Sequence, residues 1–229
     1  GKLDLFLECP RCFYLDRRLG IKRPSMPGWS LNSAVDNLLK NEFDGYRKKK
    51  EPHPLMKMYK IDAVPFQHDD LPIWRDDVYH YVGASFFHEP TNLEICGIVD
   101  DVWIDSTGTL LIVDYKSTST KKELSLEDEY KQGYKRQAET YQWIFRQNGF
   151  DVSDMAYFVF ANGIKDKDVF DSVLEFEMSI LEHKGDDSWV ESTIFDIKKC
   201  LESGTLPASS STCEYCAFRE NVNSITTTK

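Results

Sequence analysis

Four cysteines in two C-x-x-C pairs, Cys9-Pro10-Arg11-Cys12 and Cys213-Glu214-Tyr215-Cys216, stand at opposite ends of a 229-residue chain. If one centre takes all four, the two ends must meet, and every fold that leaves them apart is excluded. Four thiolates suit a tetrahedral Zn²⁺ ion or an iron–sulfur cluster, and either would act as a clasp on the termini. No secretory leader is legible over residues 1–8, which carry charge and run straight into Cys9. Metal binding is therefore expected rather than a disulfide framework. Reduced, empty thiols, with Cys9 retained for packing, are the remaining reading. The other two of the six cysteines, Cys96 and Cys200, fall in a strand-like and a helix-like segment and are expected as buried core thiols.

The length allows one domain with a real core, taken as 1–229. No apolar run approaches the roughly 18 residues needed to span a membrane, so no membrane partner and a cytoplasmic location are expected. A net charge of −10 argues against a nucleic-acid partner, but the charge is segregated. Residues 9–23 hold five basic side chains against one acidic, and residues 46–60 hold six against one. The acid gathers in 62–105 and 166–202. Such segregation fits a basic groove on an acidic body, or simply solvated surfaces.

Leu31, Val35, Leu38 and Leu39 repeat at helical spacing behind Ser30, a residue that can cap, and predict a helix to about residue 49. Residues 51–72 read as irregular. Strand patterns follow at 78–88, 93–104 and 109–115, the last two joined by the turn sequence Asp105-Ser106-Thr107-Gly108. A long helix is predicted over 126–148, strands over 155–162 and 169–178, and a last helix through Val190, Ile194, Ile197 and Leu201 that ends at Gly204. No internal repeat is visible, and the order of elements is that of an α/β or α+β domain.

The chemistry concentrates in one predicted hairpin. Asp114 and Lys116 lie two apart, hence on one face, at the end of the apolar strand Leu110-Leu111-Ile112-Val113. Asp100 shares a face with Ile98, Val102 and Ile104, where a carboxylate is out of place without a partner. A hairpin centred on Thr107 sets residue 100 opposite residue 114, so two acids and a lysine converge. Adjacent carboxylates ionise together only around a cation, and oxygen ligands suit Mg²⁺ or Mn²⁺. Such a cation polarises a phosphodiester and activates water, with Lys116 orienting the water or meeting the developing charge. A slip of one residue would put Asp101 in place of Asp100. A surface salt bridge is the plainer alternative for D-x-K alone.

Gly97-Ile98-Val99-Asp100 followed by Val113-Asp114-Tyr115-Lys116-Ser117 resembles the motifs of the RecB-like and Cas4-like branch of the PD-(D/E)XK nucleases. The resemblance extends to Gln137 and Tyr141, four apart in a helical stripe with Tyr130, Tyr134 and Ile144, which is similar to that family's Q-x-x-x-Y element. Residues 31–36 resemble the segment whose last position is usually a metal-binding His; here it is Asp36. The resemblance implies a central mixed β-sheet flanked by helices, as in restriction-endonuclease-like cores. It also implies hydrolysis of DNA, often from single-stranded ends, in repair, recombination or CRISPR-type adaptation with protein partners. The residues it implies are Asp100, Asp114, Lys116, Gln137 and Tyr141 as catalytic, and Asp36, Asp100, Asp114 and Tyr115 as metal-binding. Cas4-like and AddB-like nucleases hold a [4Fe-4S] cluster with one cysteine upstream and three downstream. In this chain Cys12 is extra and the last downstream cysteine is missing, which leaves the cluster and zinc both open. A decayed, non-catalytic nucleic-acid-binding subunit is the competing function. The complete set of Asp100, Asp114 and Lys116 argues against it.

Overall fold

The turn at residues 105–108 fixes the register of the strands on either side. The Asp105 carboxylate accepts hydrogen bonds from the backbone N–H groups of Thr107 (2.8 Å) and Thr109 (2.9 Å), and Gly108 supplies the positive φ that closes the loop. The computed structural model describes residues 1–25, 28, 30–76, 83–128 and 131–226. Its helices are α1 (Lys2–Glu8), α2 (Pro10–Arg18), α3 (Ser30–Lys49), α4 (Pro54–Met58), α5 (Leu71–Asp76), α6 (Gln132–Gln147), α7 (Ser188–Glu202) and α8 (Glu214–Thr226). Its strands are β1 (Ala63–Pro65), β2 (Ala84–His88), β3 (Leu93–Gly97), β4 (Asp101–Asp105), β5 (Leu110–Thr118), β6 (Met155–Gly163) and β7 (Phe176–Lys184).

The packing divides the chain into two compact units. One comprises Gly1–Gly28, Glu89–Leu93 and Ser188–Lys229, and the other Trp29–His88 and Glu94–Asp187. In the first, α1, α2 and α7 pack on one another. The Tyr14 hydroxyl donates to the Ser203 carbonyl at 2.9 Å, and Val190, Ile194 and Ile197 form the buried stripe of α7.

The second unit holds a five-stranded sheet in the order β1-β4-β5-β6-β7. Every pairing is antiparallel except β5 with β6, so the sheet is mixed, as expected. Alternation along the strands makes two apolar faces. Trp103, Leu111, Val113, Tyr115, Val159 and Ala161 pack with Val35, Leu39 and Phe43 of α3. Phe158, one residue out of phase with Val159, meets Tyr134 of α6 across the other face. The mixed sheet flanked by helices is a restriction-endonuclease-like core.

Five expectations need correction. Residues 93–104 are two strands, not one: β3 pairs with β2 in a separate two-stranded sheet, and the chain breaks at 98–100 before β4 joins the main sheet. The strand expected at 169–178 is displaced to Phe176–Lys184, because Val169, Phe170 and Val173 are exposed and only the later residues pair with β6. The region 51–72 is not wholly irregular, since it carries α4, β1 and the start of α5. Leu31 and Leu38 are exposed, at 60% and 67%, so the buried stripe of α3 is Val35, Leu39 and Phe43. Cys96 is exposed and Cys200 only partly covered, because the inward position of β3 is Ile95 and that of α7 is Ile197. Residues 78–82 of the first predicted strand and Tyr130 lie outside the described residues.

Candidate active site

The break at 98–100 is where the site begins. β4 pairs with β5 as Asp101 to Val113 and Val102 to Ile112, and one step further the same register sets Asp100 opposite Asp114. The hairpin register read from the turn sequence is the observed one. The broken segment is held at three points. The Tyr141 hydroxyl donates to the Ile98 carbonyl at 2.6 Å, the Val99 N–H donates to the Trp74 carbonyl at 3.0 Å, and the Tyr115 N–H donates to Asp100 Oδ2 at 2.8 Å. Gly97 is required there by close approach: a Cβ on it would lie 2.6 Å from Tyr141 Cε1.

Asp114 is buried at the end of β5, and its Oδ2 is in ion-pair contact with the Lys116 ammonium. Its Oδ1 has no hydrogen-bond partner among the described residues. An orphaned buried carboxylate oxygen is costly in a folded chain unless something from outside meets it. Burial pushes the Asp114 carboxyl up against the pull of Lys116. Burial, and then the adjacent Asp114 charge, push the Asp100 carboxyl up to about 8. Burial acts to lower the Lys116 ammonium, but Asp114 and Asp100 outweigh it and raise it. Lys116 also lies over the Tyr134 ring, 4.6 Å from its centroid.

Asp100, Lys116 and Tyr134 border a cavity of about 410 Å³, whose lining does not include the buried Asp114. Its walls are Asn32, Ser33 and Asp36 of α3, Asp100 in the break before β4, Lys116 and Ser117 of β5, and Tyr134 and Gln137 of α6. Asp36 therefore reaches the same cavity as Asp100, while its carboxylate pairs with Lys40 at 3.0 Å. Its charge adds to the upward push on Asp100 and Asp114. Gln137 lines the cavity and donates through Nε2 to the Tyr141 hydroxyl at 3.1 Å. Tyr141 itself is buried behind it, and burial raises its hydroxyl. Tyr115 borders the cavity, but its hydroxyl turns to the opposite face of the sheet and donates to Asp101 at 2.7 Å. Asp36, Asp100 and Asp114 are hard oxygen donors of the type a divalent cation takes, but their oxygens do not converge within 4.8 Å as the four cysteine sulfurs do.

Asp101, the alternative if the register slipped, does other work. It is fully buried and accepts from Arg47 Nη2 at 2.5 Å, as well as from Tyr115. Arg47 continues to Asp44 at 3.0 Å, and Asp44 takes both terminal nitrogens of Arg75 at 2.8 Å. Sequence reasoning missed this chain of buried ions, which lies directly behind the site. Arg47 falls in the basic run of residues 46–60, yet it is only 3% exposed. The signal that could have found it is its position, four beyond Phe43 on the buried stripe of α3. The other basic run is also partly spent, since Arg11 pairs with Glu220 at 2.6 Å and Arg23 with Glu8 at 2.8 Å.

In the other unit, Cys9, Cys12, Cys213 and Cys216 come together, all buried, with their sulfur atoms within 4.8 Å of one another. The two ends of the chain do meet there, close enough for a metal or cluster.

Residues 1–221 match the family model of the PD-(D/E)XK nuclease superfamily, a span that takes in both cysteine pairs and the whole cavity. The chain belongs to that superfamily. It is thereby a nuclease by family, a phosphodiesterase with a nucleic-acid substrate, of a kind that typically works with divalent metal ions. No curated protein matches it. No described helix is long and apolar enough to cross a membrane.

Proposed function

We propose that the chain hydrolyses DNA phosphodiester bonds with Mg²⁺ or Mn²⁺ held by Asp36, Asp100 and Asp114. The observation that carries this reading is a cavity lined by Asp36, Asp100 and Lys116, with the Lys116 ammonium paired to the buried Asp114 carboxylate, whose Oδ1 has no hydrogen-bond partner among the described residues. A cation there supplies charge neutralisation and Lewis-acid activation of phosphate and water. Lys116, kept protonated by the two carboxylates, presents a positive donor to the charge that builds on the phosphate as the bond breaks. Gln137 holds the wall of the cavity toward the substrate, and Tyr141 acts as a positioning residue by anchoring the Ile98 carbonyl beside Asp100. A main-chain ligand role for Tyr115 is consistent with its place between Asp114 and Lys116, since its hydroxyl faces away. Next to the cavity, Lys122 and Lys131 join Lys116 around a smaller recess of about 130 Å³, with Thr118 and Thr120 between them. Glu123 and Asp128 share this recess, and Lys131 is buried and pairs with Asp128 at 2.8 Å, so Lys122 is left as the lysine placed to meet a polyanionic strand.

The likeness to RecB-like and Cas4-like nucleases supports exonuclease action on single-stranded DNA or DNA ends, in repair, recombination or CRISPR-type adaptation alongside protein partners. The test is cleavage of end-labelled single-stranded DNA, duplex DNA and RNA with Mn²⁺, Mg²⁺ or EDTA, with Lys116→Ala as control. Metal-dependent shortening of DNA from its ends is expected. No cleavage with any divalent ion, or equal cleavage by Lys116→Ala, overturns the reading.

A further inference from the structure

We infer that the four cysteines hold a single tetrahedral zinc ion in a closed structural site, and not the [4Fe-4S] cluster that the resemblance to Cas4-like nucleases suggests. The sulfur positions carry the inference. Cys9 Sγ lies 3.8 Å from Cys216 Sγ, and Cys12 Sγ lies 3.6 Å from both Cys213 Sγ and Cys216 Sγ. All four sulfurs fall within 4.8 Å of one another. Four thiolates at the usual Zn–S bond length of about 2.3 Å form a tetrahedron with edges of about 3.8 Å. In a cubane each cysteine bonds a different iron, and the irons and sulfides fill the space between the thiolates. A cage this tight leaves no room for them. A disulfide is excluded as well, since it needs sulfurs at about 2.05 Å.

The local structure is built for such an ion. Cys9 is the N-cap of α2, with Pro10 at the first helical position, and Cys213 stands just before α8. The first turn of each helix closes over its pair, with Phe13 N–H donating to the Cys9 carbonyl at 3.1 Å and Ala217 N–H donating to the Cys213 carbonyl at 3.0 Å. In each pair one cysteine stands at the start of the helix and the other sits three residues on, which brings both to the same end and side of it. The unpaired N–H groups and positive ends of two helices then surround the thiolates. Zinc with four thiolates carries two net negative charges. Arg23 answers them, its Nη2 3.6 Å from Cys213 Sγ while its Nη1 is fixed by Glu8 at 2.8 Å. The four cysteines are buried, and four thiolates fill a tetrahedral shell, so no ligand position remains for a substrate, as in structural rather than catalytic zinc sites. Without an ion, four buried thiols would have only weak S–H donors to offer one another. The two-plus-two arrangement of C-x-x-C pairs is also the usual ligand spacing of zinc.

The experiment is a metal census of the full chain, produced with both iron and zinc supplied and purified without oxygen. One zinc per chain, no acid-labile sulfide and a colourless solution are expected, with X-ray absorption at the zinc edge showing four sulfur neighbours at about 2.3 Å. Iron with labile sulfide and absorption near about 400 nm overturns the inference. So does a single iron without sulfide, or a folded chain with neither metal. Cys216→Ser should lose the ion. Because that variant can fail to fold, the census on the unaltered chain decides by itself. The outcome does not depend on whether the protein cleaves DNA.

Discussion

The carboxylate cavity and the cysteine cage are both places where the chain crowds anionic ligands together, and they differ in almost every other respect. The cage draws its sulfurs from the starts of two helices at opposite ends of the sequence, and its four cysteines are buried. The cavity draws its oxygens from a strand end, a strand break and a helix. It is open, and it leaves a buried oxygen of Asp114 without a partner. The cage is complete within the chain apart from its ion, which suits a clasp. The cavity is incomplete without something from solution, which suits chemistry. Losing the first should therefore cost stability, and losing the second should cost activity.

The sharpest way to break this contrast is Cys12→Ser. It should lower stability by several kcal/mol, reading as a fall in melting temperature of about 10 °C or more. A variant that melts with the unaltered chain would remove the clasp from the picture. Lys116→Ala should lower the cleavage rate by about a thousand-fold, with a fall in melting smaller than that of Cys12→Ser. Parallel loss of both in a thermal and kinetic comparison would show that the cavity is structural after all. Arg47→Ala should cost about 3 kcal/mol in urea unfolding, because it leaves the Asp101 carboxylate buried without its cation. This buried pair would then mark the structural half of the same unit, back to back with the chemical half.

The pH dependence is a gentler test. With Asp100 pushed up to about 8 by burial and by Asp114, the folded chain without divalent ion keeps a proton there that the unfolded chain releases near about pH 4. The folded state then binds more protons than the unfolded between about pH 4 and about pH 8. Stability falls as pH rises through that window, by at most about 1.4 kcal/mol per pH unit, and this group adds no further slope above it. Urea melts across the window should show the slope in the unaltered chain and its loss in Asp100→Asn. A slope that survives in Asp100→Asn would assign it to other groups.

Much of the site was legible because it rests on short-range rules. A turn of Asp105 to Gly108 fixes a hairpin register, a period of two puts Asp114 and Lys116 on one face, and a period of 3.6 puts Gln137 and Tyr141 in one stripe. Each of these depends on residues close together in sequence. What failed depended on partners far away. Nothing in residues 93–104 announces that the chain leaves one sheet and enters another, since apolar alternation continues through the break. Arg47 looks like its exposed lysine neighbours until Asp101, more than fifty residues on, is placed beside it. Cys96 reads as a core thiol until β3 is seen to turn Ile95 inward.

The sequence by itself thus pointed to the family and to the hairpin register, and it supplied two candidate ligand sets. Only the tertiary structure decided which carboxylates share a cavity, which acid is locked behind it, and how tightly four sulfurs close. Those are matters of distance between segments far apart along the chain, set by packing and burial, and local residue patterns do not encode them.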